Sequence, residues 1–171
     1  MKLLFGGMAR SGKDEACEYL ASKIKFTFKG SSYLAAEIFL YDLLKEELGY
    51  QSIEECFEDR HNHRKRWYDE ITKFNTPDRT RLAKLILEKS DAYVGLRNSD
   101  ELDQLKREMG DNLLVIWIDS SERTPPESAD SCTVTMDQAD IIVQNNGNLA
   151  EFRSKLDKLA IFIGNSVVDC A

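Results

Sequence analysis

Eight residues near the N-terminus constrain the chain more than any other segment. Residues 7–14 read GMARSGKD, so two glycines are separated by four residues and the second is followed by Lys13. The apolar residues 2–5 predict a strand before this motif, and an amphipathic pattern from Lys13 to about Lys23 predicts a helix after it. Glycines let successive backbone N–H groups surround an anion, and a helix N-terminus adds positive potential. The motif therefore predicts a site for the phosphates of a nucleoside triphosphate, with Lys13 reaching the β- and γ-phosphates.

Strand-like and helix-like segments alternate along the rest of the chain. Further strands are predicted over residues 24–28, 92–94, 113–118 and 141–143, and helices over 34–48, 100–109 and from the turn at 145–147 to about 163. Residues 52–89 predict up to three charged helices, the last capped by Thr76 with Pro77 in its first position. This order predicts a three-layer α/β fold with a roughly five-stranded, mainly parallel sheet and a helical insert at about 34–90. We expect one domain over residues 1–163 and a loose tail over 164–171.

Composition excludes several classes of protein. The chain has 171 residues, with 23 Lys and Arg against 30 Asp and Glu, and the net charge of −7 argues against broad nonspecific binding of nucleic acid. The longest apolar run has six residues, so no membrane helix is expected, and the N-terminus does not have the pattern of a secretory signal. Cys17, Cys56, Cys132 and Cys170 are scattered, which favours reduced thiols in a cytoplasmic protein.

Two acidic residues are candidates for binding a metal ion. Asp14 follows Lys13 at the position where this motif usually has a hydroxyl that ligates Mg²⁺. A carboxylate can take that place directly or through water, although Asp14 also suits the first turn of a helix for its charge alone. Asp119 follows the apolar run at residues 115–118 and is the second candidate. The alternative is that Asp119 has no metal role and is an ordinary residue between a strand and a loop.

A basic and aromatic segment at residues 60–69 predicts a site for the phosphate acceptor. At helical spacing Arg60, Arg64 and Trp67 share one face, which could hold a phosphate while a base stacks on the indole. The alternative is a solvated helix whose cations balance six nearby acidic residues. Arg81 lies in a second polar segment and is a further candidate. Arg97 follows the strand at 92–94, at the edge where parallel sheets bind ligands, and is a candidate for binding the acceptor or the transferring phosphate. The alternative is that Arg97 forms an ion pair with a neighbouring carboxylate.

The motifs resemble those of one family. Residues 7–14, above all the RSGKD at 10–14, are similar to the phage deoxynucleoside monophosphate kinases, P-loop enzymes of the thymidylate and adenylate kinase type. Residues 93–97 followed by Glu101 resemble the family's strand ending in Asp-x-Arg and the acidic helix after it, except that Gly95 replaces the aspartate. Residues 139–143 and the turn after them resemble its last strand and the turn beside the adenine.

The resemblance implies an ATP- and Mg²⁺-dependent kinase that acts in the cytoplasm of a phage-infected host. Its catalytic residues would be Lys13, Arg97 and Asp14. The ATP-binding residues that it implies are Gly7, Arg10, Ser11, Gly12, Lys13, Asp14, Asn145, Asn146 and Gly147.

The sequence leaves open which group accepts the phosphate. The first is the phosphate of a free deoxynucleoside monophosphate. The second is the hydroxyl of 5-hydroxymethyluracil in phage DNA, which related P-loop kinases phosphorylate. A non-catalytic nucleotide-binding protein is the alternative from another class, and a homodimer is open beside a monomer.

Overall fold

The described part of the chain contains five strands and eight α-helices. The computed structural model describes residues 1–125 and 132–168, the last three by their backbone alone. The strands are β1 (Lys2–Gly6), β2 (Phe28–Gly30), β3 (Ala92–Val94), β4 (Leu113–Asp119) and β5 (Ile141–Gln144). The helices are α1 (Lys13–Lys23), α2 (Ser31–Ala35), α3 (Tyr41–Leu48), α4 (Ile53–Asp59), α5 (Arg64–Phe74), α6 (Arg81–Lys89), α7 (Ser99–Met109) and α8 (Leu149–Val168). A π-helical turn, Ala36–Leu40, joins α2 to α3, and 3₁₀ turns cover Gly110–Asn112 and Met136–Gln138.

The sheet has the order β2-β3-β1-β4-β5, and all four pairs of neighbouring strands are parallel. β1 is central, with Phe5 opposite Val94 of β3 on one side and Ile116 of β4 on the other. Because every strand runs in the same direction, all five carboxyl ends lie at one edge of the sheet. The residues that follow the strands therefore meet at that edge.

Alternation along the strands divides the core into two layers. Leu4 of β1 and Trp117 of β4 face the side that packs against α2 to α7. Leu3 and Phe5 face the other side, where α1 and α8 cover the sheet. The predicted three-layer α/β fold with a five-stranded sheet is thereby confirmed, and the helices α2 to α6 occupy the predicted insert between β2 and β3.

Several predicted helix boundaries agree with the structure because the sequence carries strong end signals. α1 spans Lys13–Lys23 as predicted. α3 ends where Gly49 adopts φ 78° and its N–H bonds to the carbonyl of Lys45. Residues 34–48 are helical, but the π-helical turn interrupts them. α8 continues to Val168, beyond the predicted end near residue 163, and residues 169–171 lie outside the described part of the chain.

Two predicted boundaries are wrong. β2 begins at Phe28 and not at residue 24, because Ile24 still bonds to Leu20 at the end of α1. Thr76 does not cap α6, because that helix begins at Arg81. The hydroxyl of Thr76 instead donates to the carbonyl oxygen of Thr72 at 3.0 Å. Local hydrogen bonds of this kind compete with capping and are invisible in a propensity pattern.

Three cysteines in the described residues, Cys17, Cys56 and Cys132, are free and buried. Cys170 lies outside the described residues. Among the helices that the structure describes, none combines the length and apolar character needed to cross a bilayer.

The packing of α8 gives a direct test of the core. Leu156 is completely buried, whereas Ile161 on the same helix is 65% exposed. Leu156→Ala should lower the free energy of unfolding by about 2–5 kcal/mol, because it leaves a cavity against the sheet. Ile161→Ala is the matched control and should change it by less than about 0.5 kcal/mol. Urea denaturation measures both, and equal losses in the two variants would contradict this packing.

Candidate phosphotransfer site

The loop between β1 and α1 has a backbone that depends on its glycines. Gly7 has φ 141° and Gly12 has φ 96°, while Arg10 at the tip has φ 61°, the one positive value among non-glycine residues in the described ranges. A Cβ atom on Gly7 would lie 2.6 Å from the Ser11 hydroxyl oxygen and 2.7 Å from the carbonyl oxygen of Ile118. Glycine is therefore required at residue 7 on two grounds, the backbone angle and the close contacts.

Lys13 and the N-terminus of α1 place positive charge and N–H donors at this loop. The Lys13 ammonium donates hydrogen bonds to the carbonyl oxygens of Gly7 at 2.7 Å and Met8 at 2.6 Å, so it lies over the loop. Gly12 is the N-cap of α1, and no side chain caps the helix there. The N–H groups of the first turn and the helix dipole therefore add to the charge of Lys13, an arrangement that fits phosphate groups.

Two arginines of the insert lie close to each other near this loop. Burial lowers the pKa of Arg60 from its usual value, the neighbouring charge of Arg64 lowers it further, and the carboxylate of Asp14 opposes both. Arg60 of the insert therefore lies within electrostatic range of Arg64 and of Asp14, the residue after Lys13.

The predicted helical face through Arg60, Arg64 and Trp67 is wrong. α4 ends at Asp59 and α5 begins at Arg64, so Arg60 lies in the turn between the helices. There its guanidinium stacks on the Phe57 ring at 3.8 Å and donates to the Phe57 carbonyl at 2.7 Å.

Trp67 does not offer a surface for a base to stack on, which corrects the predicted role of its indole. The side chain is only 4% exposed and packs in the core layer under the insert. A hydrophobic ring on the inner face of an amphipathic helix is buried by packing, and that outcome overrides its suitability for stacking.

Arg81 and Arg97 occupy different surroundings. The Arg81 guanidinium stacks on Phe74 at 4.2 Å, and Phe74 in turn stacks on Phe39, with ring centroids 4.4 Å apart. No described contact joins Arg81 to the phosphate loop. Arg97 is exposed beyond the carboxyl end of β3, and its main-chain oxygen accepts a hydrogen bond from the N–H of Thr133 at 2.8 Å. Arg97 thus lies at the predicted edge of the sheet.

Asn145 supports the phosphate loop through a hydrogen bond from its side chain. Its side-chain amide donates to the carbonyl oxygen of Ser11 at 2.8 Å, and its backbone N–H bonds to the carbonyl of Asp119 at 2.6 Å. The side chain is buried, and a Cβ atom on Gly12 would lie 2.6 Å from its nitrogen. Arg123 also donates to the Asn145 carbonyl at 2.5 Å. The structure thus gives Asn145 a positioning role that sequence reasoning missed; its predicted contact with ATP, like those of Asn146 and Gly147, stays a prediction.

The two candidate metal ligands differ in what surrounds them. Asp14 is exposed in the first turn of α1. Asp119 at the end of β4 accepts hydrogen bonds from the Ser121 N–H at 3.0 Å and the Asn146 amide at 3.1 Å. Burial raises the pKa of Asp119, but these hydrogen bonds outweigh it and the pKa is lowered.

No group of three or more His, Cys, Asp or Glu side chains gathers as a metal site in the described residues. Mg²⁺ bound with a nucleotide needs only one or two carboxylates. The exposed carboxylate of Asp14 fits that requirement, and both metal assignments stay predictions.

Sequence reasoning also missed a polar cluster at the carboxyl end of β3. Tyr93 is 3% exposed, and its hydroxyl has a hydrogen bond with Ser31. Glu101 in the first turn of α7 is 9% exposed; burial raises its pKa to about 7, and the charge of Arg79 acts in the opposite direction. An acidic residue near a helix N-terminus is usually solvated, so no pattern in the sequence distinguishes this carboxyl from its exposed neighbours.

No protein-family model matches the chain, and no curated protein matches it. Among solved structures it is similar to a gluconokinase from Sinorhizobium meliloti 1021, with 15% identity, 96% of each chain covered and a TM-score of 0.45. It is also similar to a shikimate kinase from Aquifex aeolicus vf5, with 18% identity over 98% of this chain and 99% of that chain and a TM-score of 0.48. Similarity at this level carries no information about substrate, and the resemblance to the phage kinases stays a prediction.

The buried bond between Asn145 and the loop can be tested by removing its donor. Asn145→Ala leaves the Ser11 carbonyl without its partner, which should lower the free energy of unfolding by about 1–3 kcal/mol and weaken binding of a nucleoside triphosphate. Gln144→Ala, an exposed neighbour, is the control and should change neither quantity. Chemical denaturation and calorimetric titration provide the two measurements. Wild-type values for Asn145→Ala in both would rule out the positioning role.

Proposed function

We propose that this protein is a phosphotransferase that moves the γ-phosphate of ATP to a nucleotide-type acceptor. The observation that carries the proposal is the placement of Lys13 over a glycine-dependent loop at an uncapped helix N-terminus. This concentrates positive charge and N–H donors where a triphosphate would lie. Arg60, on which the charge of Asp14 acts, and its neighbour Arg64 support an anionic second substrate.

The donor side of the site would use residues from 7 to 14. The N–H groups of the loop and of the first turn of α1 would bind the phosphate oxygens, and Lys13 would balance charge on the β- and γ-phosphates as the bond to the leaving group breaks. Asp14 would hold Mg²⁺, which when bound neutralises charge on the phosphate oxygens. Asn145 would keep the loop in the conformation that these contacts need.

The acceptor side would use the cations of the insert and of the β3 edge. Arg60 and Arg64 would bind an anionic group of the acceptor, and Arg97 would orient either the acceptor or the transferring phosphate. The reaction needs no covalent enzyme intermediate, because alignment of the two substrates and stabilisation of charge supply most of the acceleration.

A free nucleotide is favoured over DNA as the acceptor. The chain carries a net charge of −7, whereas a DNA substrate favours a basic surface around the site. Phosphate transfer to DNA containing 5-hydroxymethyluracil, with none to any free nucleotide, would reverse this preference. ATP binding without transfer to any acceptor would instead favour the non-catalytic nucleotide-binding protein.

Lys13→Ala tests the donor site. Removing the ammonium should lower ATP-dependent phosphate transfer by about 100-fold or more, because charge developing in the transition state loses its partner. Lys23→Ala changes a lysine at the other end of the same helix, where it pairs with Asp157 at the surface, and should leave transfer unchanged. Transfer is measured with radiolabelled ATP and a panel of deoxynucleoside monophosphates. Full activity in Lys13→Ala would exclude this loop as the donor site.

Arg60→Ala tests the acceptor site. Losing a charge-assisted contact should raise KM for the acceptor by about tenfold to 100-fold while leaving the Kd for ATP unchanged. Arg107→Ala removes an exposed arginine of α7 and serves as the control for the loss of one positive charge. Steady-state kinetics and calorimetric titration with ATP separate the two effects. A weakened ATP affinity with an unchanged acceptor KM would place Arg60 on the donor side.

A further inference from the structure

The ends of β4 and β5 lie against the phosphate loop. The two strands pair in parallel, so the turns that follow them are neighbours at the carboxyl edge of the sheet. The carbonyl oxygen of Ile118 in β4 would lie only 2.7 Å from a Cβ atom on Gly7 of the loop. Asn145, the first residue after β5, donates from its side chain to the carbonyl oxygen of Ser11 at 2.8 Å. Both strand ends therefore contact the loop directly.

The Asp119 carboxylate at the end of β4 joins the two turns. Its Oδ1 accepts a hydrogen bond from the Ser121 N–H at 3.0 Å in the first turn, and its Oδ2 accepts one from the Asn146 side-chain amide at 3.1 Å in the second. The side-chain oxygen of Asn146 accepts from the Glu122 N–H at 3.2 Å. The Asn146 side chain is thus bonded to the first turn both as a donor and as an acceptor.

Main-chain hydrogen bonds extend this arrangement to Asn145. Its N–H donates to the carbonyl oxygen of Asp119 at 2.6 Å, and its own carbonyl oxygen accepts from the Arg123 side chain at 2.5 Å. The Asn145 side chain can reach the Ser11 carbonyl only while the turn keeps this position, because hydrogen bonds weaken steeply as their geometry changes. A continuous path of hydrogen bonds therefore runs from the Asp119 carboxylate, through the turn after β5, to the phosphate loop.

We propose that Asp119 is a positioning residue for the phosphate loop, acting through Asn146 and Asn145, and that it does not ligate Mg²⁺. This rests on the proposed function only in that the loop binds the phosphates of ATP. Both oxygens of Asp119 already accept hydrogen bonds from N–H donors of the turns. In the described part of the chain, it belongs to no group of three or more His, Cys, Asp or Glu side chains that could hold a metal ion. Asp14 then remains as the candidate ligand.

Nucleotide binding without metal separates the two roles of Asp119. In Asp119→Asn an amide faces the Asn146 amide, so two donors oppose each other and the link between the turns is lost. The positioning role expects the Kd for a fluorescent ATP analogue to rise by about tenfold, both with Mg²⁺ and with EDTA. A metal ligand would matter only when Mg²⁺ is present. Asp111→Asn, an exposed acid in the turn before β4, is the control for the lost charge and should bind as the wild type does.

A reciprocal exchange provides the matched variant. Asp119→Asn combined with Asn146→Asp keeps one donor and one acceptor between the two side chains, and the relocated carboxylate can still accept from the Glu122 N–H. The exchange should return the Kd to within about twofold of the wild-type value. Asn146→Asp alone places two carboxylates together, and their repulsion should weaken binding at least as much as Asp119→Asn does.

Three results would overturn the inference: an unchanged Kd in Asp119→Asn, a loss of affinity that disappears in EDTA, or an exchange variant that binds as weakly as the single variants. Thermal unfolding checks that each variant is folded at the assay temperature. If Asp119→Asn alone does not fold, the exchange variant still decides, because wild-type affinity in EDTA supports the inference and weak binding overturns it.

The same assay distinguishes this inference from the proposed function. A wild-type protein that does not bind the ATP analogue would overturn the proposed function. Binding of the analogue without phosphate transfer to any acceptor would overturn the kinase assignment and leave the positioning role of Asp119 standing.

Discussion

The position of β1 between two parallel neighbours is the constraint on which the rest of the structure depends. Because β3 and β4 both pair with β1 in parallel, their carboxyl ends lie on either side of the loop that follows it. The phosphate loop is therefore flanked by residues that are distant in the chain. Arg97 and Glu101 come from the β3 side, and Asp119 comes from the β4 side. An antiparallel neighbour would have brought the opposite end of its strand to this edge.

The fold was predictable where local patterns and long-range packing favour the same outcome. The motif around Lys13 predicts a strand, a loop and a helix, and glycines at residues 49 and 110 end helices as expected. The boundaries that failed depend on competing hydrogen bonds. Thr76 bonds backward to Thr72, and α6 begins four residues later than a cap at Thr76 predicts.

The candidate site was predictable on its donor side and less so on its acceptor side. The conformation of a loop of contiguous residues depends mainly on the local sequence, which is why the phosphate-binding pattern could be recognised. The acceptor side depends on how separate helices pack. The turn at Arg60 breaks the predicted face, and both Trp67 and Glu101 are buried. Asn145 could be recognised as a support for the loop only once β5 was placed beside β4.

The placement of the two tryptophans gives the molecule a pair of optical reporters in different regions. Trp117 lies against the strand that leads into the phosphate loop, where a Cβ atom on Gly6 would be 3.0 Å from its ring. Trp67 is enclosed in the insert, and its indole N–H has no hydrogen-bond partner among the described residues. Indole emission depends on local polarity and on nearby charge. Replacing Trp67 with phenylalanine would leave only the tryptophan beneath the loop, and replacing Trp117 would leave only the tryptophan in the insert, so that the two variants would report occupation of the loop and motion of the insert as separate signals.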